Sequence, residues 1–258
     1  MIVLDSIVLL FAVPVSMWVI RTTKQDKLNL AWIIPWSILL FINSNPLDIL
    51  LFVLGLLLGY LTDIAGVLAR KWYYPHYDNR LYSLSAGYGW GIITLIIFRV
   101  YFIIIDNLVT FGWFILIIFF IVWLIVEISR GNTSFSNHWL VIRTIISILF
   151  LIVSGDLLFL FVAATGAIYI EILGTHLKVW IYYDPSPSYL YLGTGYAQLS
   201  YLCLILANIF LFNYIPTFIQ MIMIIALIIL YFIDYRRIRL RQDSKASKNS
   251  NNLSFKLT

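Results

Sequence analysis

The chain has 258 residues, 62% of them hydrophobic and only 11% charged, with a formal net charge of +5 and a mean hydropathy of +0.95. A soluble domain is about 45–50% apolar and about 25% charged, so the composition excludes an ordinary soluble globule, a disordered chain and a disulfide scaffold. It points to an all-α, polytopic transmembrane helix bundle with no room for a separate soluble catalytic domain.

The first residues carry Asp5 ahead of the apolar run and Arg21 behind it. A secretory signal has its basic residues first and a small-residue cleavage site last, so the segment reads as a retained first helix. A span needs roughly 20 apolar residues. Apolar runs broken by polar, Pro or Gly signals predict about nine spans, over 2–20, 28–43, 46–69, 83–105, 108–128, 138–154, 156–175, 190–212 and 215–235. The second and sixth are the shortest for a crossing.

The basic residues segregate on this map. Arg21, Lys24 and Lys27 follow the first helix, Arg70, Lys71 and Arg80 the third, Arg130 the fifth and Lys178 the seventh, with Arg143 in the first turns of the sixth. Arg236, Arg237, Arg239, Arg241, Lys245, Lys248 and Lys256 lie in the tail, and the alternate connections carry no Lys or Arg. The positive-inside rule then sets a multi-pass protein of the cell membrane with its N-terminus outside and its C-terminus in the cytoplasm. The polar tail, residues 236–258, reads as disordered, with its first turn on anionic headgroups. The charge is assigned to topology, and no nucleic-acid partner is expected.

An ungapped offset of 108 aligns Asp48 with Asp156, Gly66 with Gly174, Trp72 with Trp180, Tyr74 with Tyr182, Gly87 with Gly195 and Tyr88 with Tyr196. Asp63 meets Glu171 and Arg70 meets Lys178 at the same offset. A shared Trp, Tyr, Gly and acid without a gap indicates an internal duplication. The repeats are 1–107 and 108–214, followed by a ninth helix at 215–235. The offset spans an even number of helices, so the repeats are expected to be parallel, related by an axis along the membrane normal.

Gly55, Gly59, Asp63, Gly66 and Arg70 share one helix face, as do Ala163, Ala167, Glu171, Gly174 and Lys178. Small residues at this spacing let helices approach closely in lipid, and these two faces are expected to meet on the axis. An intramembrane acid is expensive and marks a functional site by default. Asp63 and Glu171 are therefore the candidate catalytic pair, with interfacial pairing to Arg70 or Lys178 as the other reading. Ten of the 17 tyrosines lie in the two stretches after Trp72 and Trp180. These stretches read either as an interfacial belt or as an aromatic substrate cavity built from Trp72, Tyr74, Tyr88, Trp180, Tyr182 and Tyr196.

Arg99, inside the fourth helix, either binds an anionic headgroup or substrate carboxylate, or else snorkels or pairs internally with Asp5, Asp48 or Asp106. Asp48 and Asp156 are read as complements of helix N-termini. His76, His138 and His176 show no ligand spacing, so no metal is expected, and no cofactor motif is present. Cys203 is the single cysteine and reads as a small buried residue.

The string Glu171-Ile-Leu-Gly174-Thr175, followed by Trp180 and Tyr182, resembles a motif of the integral-membrane carotenoid-biosynthesis hydratases. The resemblance covers about twenty residues, with a diverged copy at 63–74. Lys178-Val179-Trp180 stands where that family has Pro-Phe-Gly. The resemblance implies carbocation chemistry on an isoprenoid or carotenoid, with the acid as proton donor. It implies a hydratase-type lyase or an isomerase or cyclase. A proton-coupled transporter with parallel repeats and a non-catalytic accessory protein are the alternatives.

Overall fold

The computed structural model describes residues 2–42, 44–68, 71–75, 84–107, 157–183 and 189–211, with single helical positions beyond them. The spans expected at 108–128, 138–154 and 215–235, the tail, and Asp156, His76 and His138 lie outside the continuous stretches. Contacts divide the chain into a unit of Met1–Pro216 and a second of Thr217–Thr258. In the second unit Phe218, Met221, Ile222, Ile225, Ile229 and Arg236 are helical.

Among its described residues the first unit is built of helices and one short ladder. In chain order it contains α1 (Ile2–Ile7), a π-helical turn (Val8–Ala12), α2 (Val13–Thr23), α3 (Asp26–Phe41), α4 (Pro46–Leu68), β1 (Trp72–Tyr73) and α5 (Leu84–Asn107). After the undescribed segment come α6 (Leu157–His176), β2 (Ile181–Tyr182) and α7 (Tyr189–Phe210). Among the described residues, four helices are long and apolar enough to cross a membrane: Val3–Thr23, Pro46–Leu68, Leu84–Ile105 and Leu158–His176. Gly195–Phe210 is a shorter apolar helix. The protein is thus a multi-pass membrane protein by its helices, and nine spans are not seen among the described residues. The expected second span is α3, whose 16 residues rise about 24 Å, short of a hydrocarbon core about 30 Å thick.

α4 packs along α5, and α6 along α7; α4 also contacts α7 and α5 contacts α6. Packing at the first pair is close because glycines remove the obstructing Cβ. A Cβ on Gly55 would stand 2.6 Å from Thr94 Cβ, and one on Gly91 2.8 Å from the Phe52 carbonyl oxygen. The small-residue stripe of α4 therefore takes up α5 side chains of its own half: Gly55 receives Thr94 and Gly59 receives Trp90. This differs from the expectation that the stripe faces its counterpart on α6.

The π turn releases backbone carbonyls from regular helix pairing. The Trp32 indole donates to the Ala12 carbonyl at 3.0 Å, and the Tyr169 hydroxyl to the Leu9 carbonyl at 3.4 Å. The buried Ser16 hydroxyl donates to Asn29 Oδ1 at 2.6 Å and ties α2 to α3. Asp26 accepts from the backbone N–H groups of Leu84 and Ser85 at 3.0 and 3.2 Å. A carboxylate from the first turn of α3 thereby supplies the first turn of α5 with acceptors and favourable charge.

Candidate functional site

The site forms where two helices end and the chain turns back across them. α6 closes with Lys178 in the left-handed region at φ 55°. The Val179 N–H donates to the Gly174 carbonyl at 2.8 Å, a pairing that satisfies a terminal carbonyl and reverses the chain. The turn lays Trp180 over Gly174, where any Cβ would run into the six-membered ring of the indole. After α4 the same construction recurs 108 residues earlier. The Lys71 N–H donates to the Gly66 carbonyl at 2.9 Å, and Trp72 lies over Gly66.

The two returning segments pair with each other. β1 and β2 are antiparallel, with Trp72 opposite Tyr182 and Tyr73 opposite Ile181, and the Tyr183 N–H donates to the Lys71 carbonyl at 3.1 Å. Tyr73 and Ile181 are equivalent at the offset of 108, so the ladder is centred on equivalent residues and has local two-fold symmetry. The rings obey it: Trp72 meets Tyr182 edge-on at 6.0 Å and 71°, and Tyr74 meets Trp180 at 6.5 Å and 72°. This ladder is a strand pairing that the sequence reading, which treated both stretches as connections, does not anticipate.

Beneath the ladder lie the acids. Asp63 is 8% exposed and Glu171 2%. The Tyr74 hydroxyl donates to Asp63 Oδ2 at 2.6 Å, and the Tyr182 hydroxyl to Glu171 Oε1 at 2.7 Å. In each case the phenol stands eleven residues after its acid. Trp180 Nε1 donates to Glu171 Oε1 at 3.0 Å, and Trp90 and Tyr196 stack face to face at 4.5 Å within reach of the acids. Glu171 acts electrostatically on Asp63, and both acids act on Tyr182 and Tyr196. The acids thus belong to one cluster. Tyr182 lies outside the spans. Burial, together with the charge of Glu171, holds its phenol well above the ordinary value of 10.0, so it remains a donor through the physiological range.

Seven of the nine residues singled out from the sequence come together here: Asp63, Glu171, Trp72, Tyr74, Trp180, Tyr182 and Tyr196. Two do not. Tyr88 packs edge-on against Phe52 at 5.2 Å and receives the Ser37 hydroxyl at 3.5 Å. Arg99 stands nine residues beyond Trp90 on α5, about 13 Å along the helix. Its guanidinium pairs with Asp5 at 3.0 Å and Asp48 at 2.9 Å, and reaches the Leu40 carbonyl and the Ser44 hydroxyl. Of the two readings of Arg99, this geometry is that of the internal partner. Asp48 serves that pair, while the acceptor at the start of α4 is Asn45, whose Oδ1 receives the Asp48 N–H at 2.9 Å.

Trp90 is the residue the sequence reading missed. Its position 108 residues later is Gln198, so a comparison rewarding identity between repeats passes over it. The available signal is the Gly87-Tyr88-Gly89-Trp90-Gly91 run, where one large ring among glycines meets the small face of α4. Cys203 is buried, as expected, and His176 is exposed. No family model matches the chain, nor does any curated protein or solved structure.

Proposed function

We propose that the protein is an intramembrane enzyme that acts on a hydrophobic, isoprenoid-like lipid by acid–base chemistry, with Asp63 and Glu171 as the working pair. The observation that carries this reading is the twin arrangement of the acids. Each is buried and each receives a tyrosine hydroxyl at nearly the same distance, within one electrostatically connected cluster. Paired carboxyls in a low-dielectric setting suit proton donation and acceptance, because like charges resist simultaneous ionisation. The acid form delivers its proton to one carbon of a double bond, whose π pair becomes the new C–H bond. The positive charge left on the neighbouring carbon is then removed in one of two ways: water adds and gives its surplus proton to the second carboxylate, or an adjacent C–H bond gives up its proton to that carboxylate and its electron pair closes a new double bond. Trp72, Trp180, Tyr74 and Tyr182 supply the aromatic surroundings in which such a charge is stabilised. The resemblance to the carotenoid hydratases supports an isoprenoid substrate.

Within this proposal the chain is a parallel duplication. Its Lys- and Arg-bearing connections lie in the cytoplasm, and the tail rests on anionic headgroups. Reporter fusions after Asn45 and Asn213 are expected outside and one after Asp243 inside; a cytoplasmic signal at Asn45 contradicts this topology.

The activity is tested by incubating membranes that contain the protein with an unsaturated isoprenoid in D₂O. Deuterium on carbon, lost in Glu171→Gln and Asp63→Asn, is the expected result. Unchanged incorporation in both amide variants contradicts the reading. A second reading, proton-coupled transport through the same carboxylates, draws on the buried Asp5–Arg99–Asp48 group, 15 residues from Asp63 along α4. It predicts acidification-driven uptake into proteoliposomes without chemical change.

A further inference from the structure

The two half-sites share a design, yet only one of them reaches toward water. On the α4 side the bond from the Tyr74 hydroxyl to Asp63 is buried, and Tyr74 is 6% exposed. On the α6 side the equivalent bond, from the Tyr182 hydroxyl to Glu171 Oε1 at 2.7 Å, is half-buried. Tyr182 is itself half-buried, stands beyond the end of the Leu158–His176 span, and is followed by Tyr183, which is 54% exposed. Glu171 lies beneath, 2% exposed. The phenol of Tyr182 therefore connects an acid that is out of water with a segment that is in it.

The chemistry of the neighbours narrows the route. Glu171 Oε1 receives the Trp180 indole at 3.0 Å and the Tyr182 hydroxyl at 2.7 Å. An indole N–H only donates, whereas a phenol hydroxyl both donates and accepts. A group passes a proton along by taking one up at the atom that gives one away, so of these two donors only Tyr182 can carry it. The ladder holds this phenol in place. Tyr182 pairs with Trp72 in register, and its ring meets that indole edge-on at 6.0 Å.

We propose that the Tyr182 hydroxyl is the relay through which Glu171 exchanges protons with water, in either direction, and that Tyr74 has no such role for Asp63. The proposal rests on the acid–base reading above, in which an acid that gives up its proton must regain one. In the recharging step the phenolic O–H bond breaks as its proton joins Glu171 Oε1. A hydronium ion on the aqueous side gives a proton to the phenol oxygen and leaves as water. The phenol ends as it began, and one proton has moved from water to the acid. Tyr182 acts in this step through Glu171, as a positioning residue for its proton.

A rapid-mixing isotope experiment on the full-length protein tests this. Protein equilibrated in H₂O is mixed, in excess, into D₂O containing squalene, and the hydrogen placed on carbon in the first turnover is read by mass spectrometry. In the parent protein the relay exchanges before delivery, and deuterium is expected in most of the product. Tyr182→Phe keeps the ring against Trp72 and removes the hydroxyl. It is expected to deliver ordinary hydrogen in the first turnover and to slow later turnovers by about 100-fold. Tyr74→Phe is expected to deliver deuterium, as the parent protein does. A structural role for Tyr182 lowers thermal stability and slows every turnover alike, without changing which isotope arrives first. If Tyr182→Phe fails to fold, a fluorinated tyrosine placed at Tyr182 keeps the ring and the hydroxyl with a more acidic phenol. It is expected to change the rate of later turnovers severalfold, and an unchanged rate contradicts the relay.

Deuterium in the first turnover of Tyr182→Phe, or ordinary hydrogen in that of Tyr74→Phe, overturns the relay and leaves the acid–base reading intact. A parent protein that places no deuterium on the carbon of squalene at any turnover contradicts the acid–base reading, and the relay with it.

Discussion

Trp180 reaches back nine residues to donate its indole N–H to Glu171 at 3.0 Å, and it can do so because its ring lies flush on Gly174. The acid, the glycine and the tryptophan form one device: the helix carries the acid, the glycine clears the space, and the turn at Lys178 returns the indole. Gly174→Ala is expected to push the ring off the helix and to remove a donor from Glu171. Overpacking of this kind costs about 1–3 kcal/mol. Thermal melts in detergent of Gly174→Ala and Gly66→Ala check this, with Leu57→Val, on the exposed side of α4, as the tolerant control. Equal melting temperatures in all three contradict the account.

The phenols are expected to matter individually. Tyr74→Phe and Tyr182→Phe each leave a buried carboxyl short of a donor, a loss of about 1–3 kcal/mol. Denaturation midpoints of the two variants should fall together, given the near-equal bonds of 2.6 and 2.7 Å. A fall in only one separates the two halves of the cluster.

Tyr182 also sets an alkaline limit. Its folded-state titration lies above the ordinary value of 10.0, chiefly through burial and then through the charge of Glu171. The folded state therefore holds this proton more tightly than the unfolded chain. The resulting stability is fully present below pH 10.0 and is lost as pH rises above it toward the folded value. Stability measured from pH 9 upward is expected to fall less steeply in Tyr182→Phe than in the parent protein. Parallel curves contradict this assignment.

Arg99 is expected to be a stability residue. Its guanidinium and the Asp5 side chain are each 3% exposed, and removing one partner of a buried ion pair costs about 3–5 kcal/mol. Arg99→Met alone should destabilise strongly. The triple variant with Asp5→Asn and Asp48→Asn should recover much of the loss, because no buried charge is then stranded. Failure of the triple variant to recover any stability contradicts the ion-pair account.

Much of the described fold is legible in the sequence. Apolar length places α3, α4, α5, α6 and α7 within two residues of their observed ends, since helices in a membrane are set by their hydrophobic runs. Pairing Trp, Tyr and acid at the offset of 108 brings Asp63, Glu171, Tyr74, Tyr182 and Trp180 forward as candidates, and the structure puts them in one place. The ladder was hidden because each strand has only two residues, too few for an alternating pattern. The sequence offers Asp5, Asp48 and Asp106 as partners of Arg99 without choosing among them, because a pairing across 94 residues leaves no local pattern, and the structure supplies Asp5 and Asp48. Tyr88 was overrated and Trp90 overlooked for one reason: repeat identity reports what the two halves share, and the Trp90–Tyr196 ring stack is what they do not share.

The central claim is that Asp63 and Glu171 form one site. A pH-difference infrared titration of the carboxyl bands measures it directly and needs no substrate. Converting Asp63 to Asn removes a neighbouring charge from Glu171, and Glu171→Gln does the same for Asp63. The account predicts that each remaining carboxyl titrates at a different pH from that in the parent protein, with the fold retained. Midpoints that stay where they were in both amide variants would show two acids that do not sense each other, and the shared site would be lost with them.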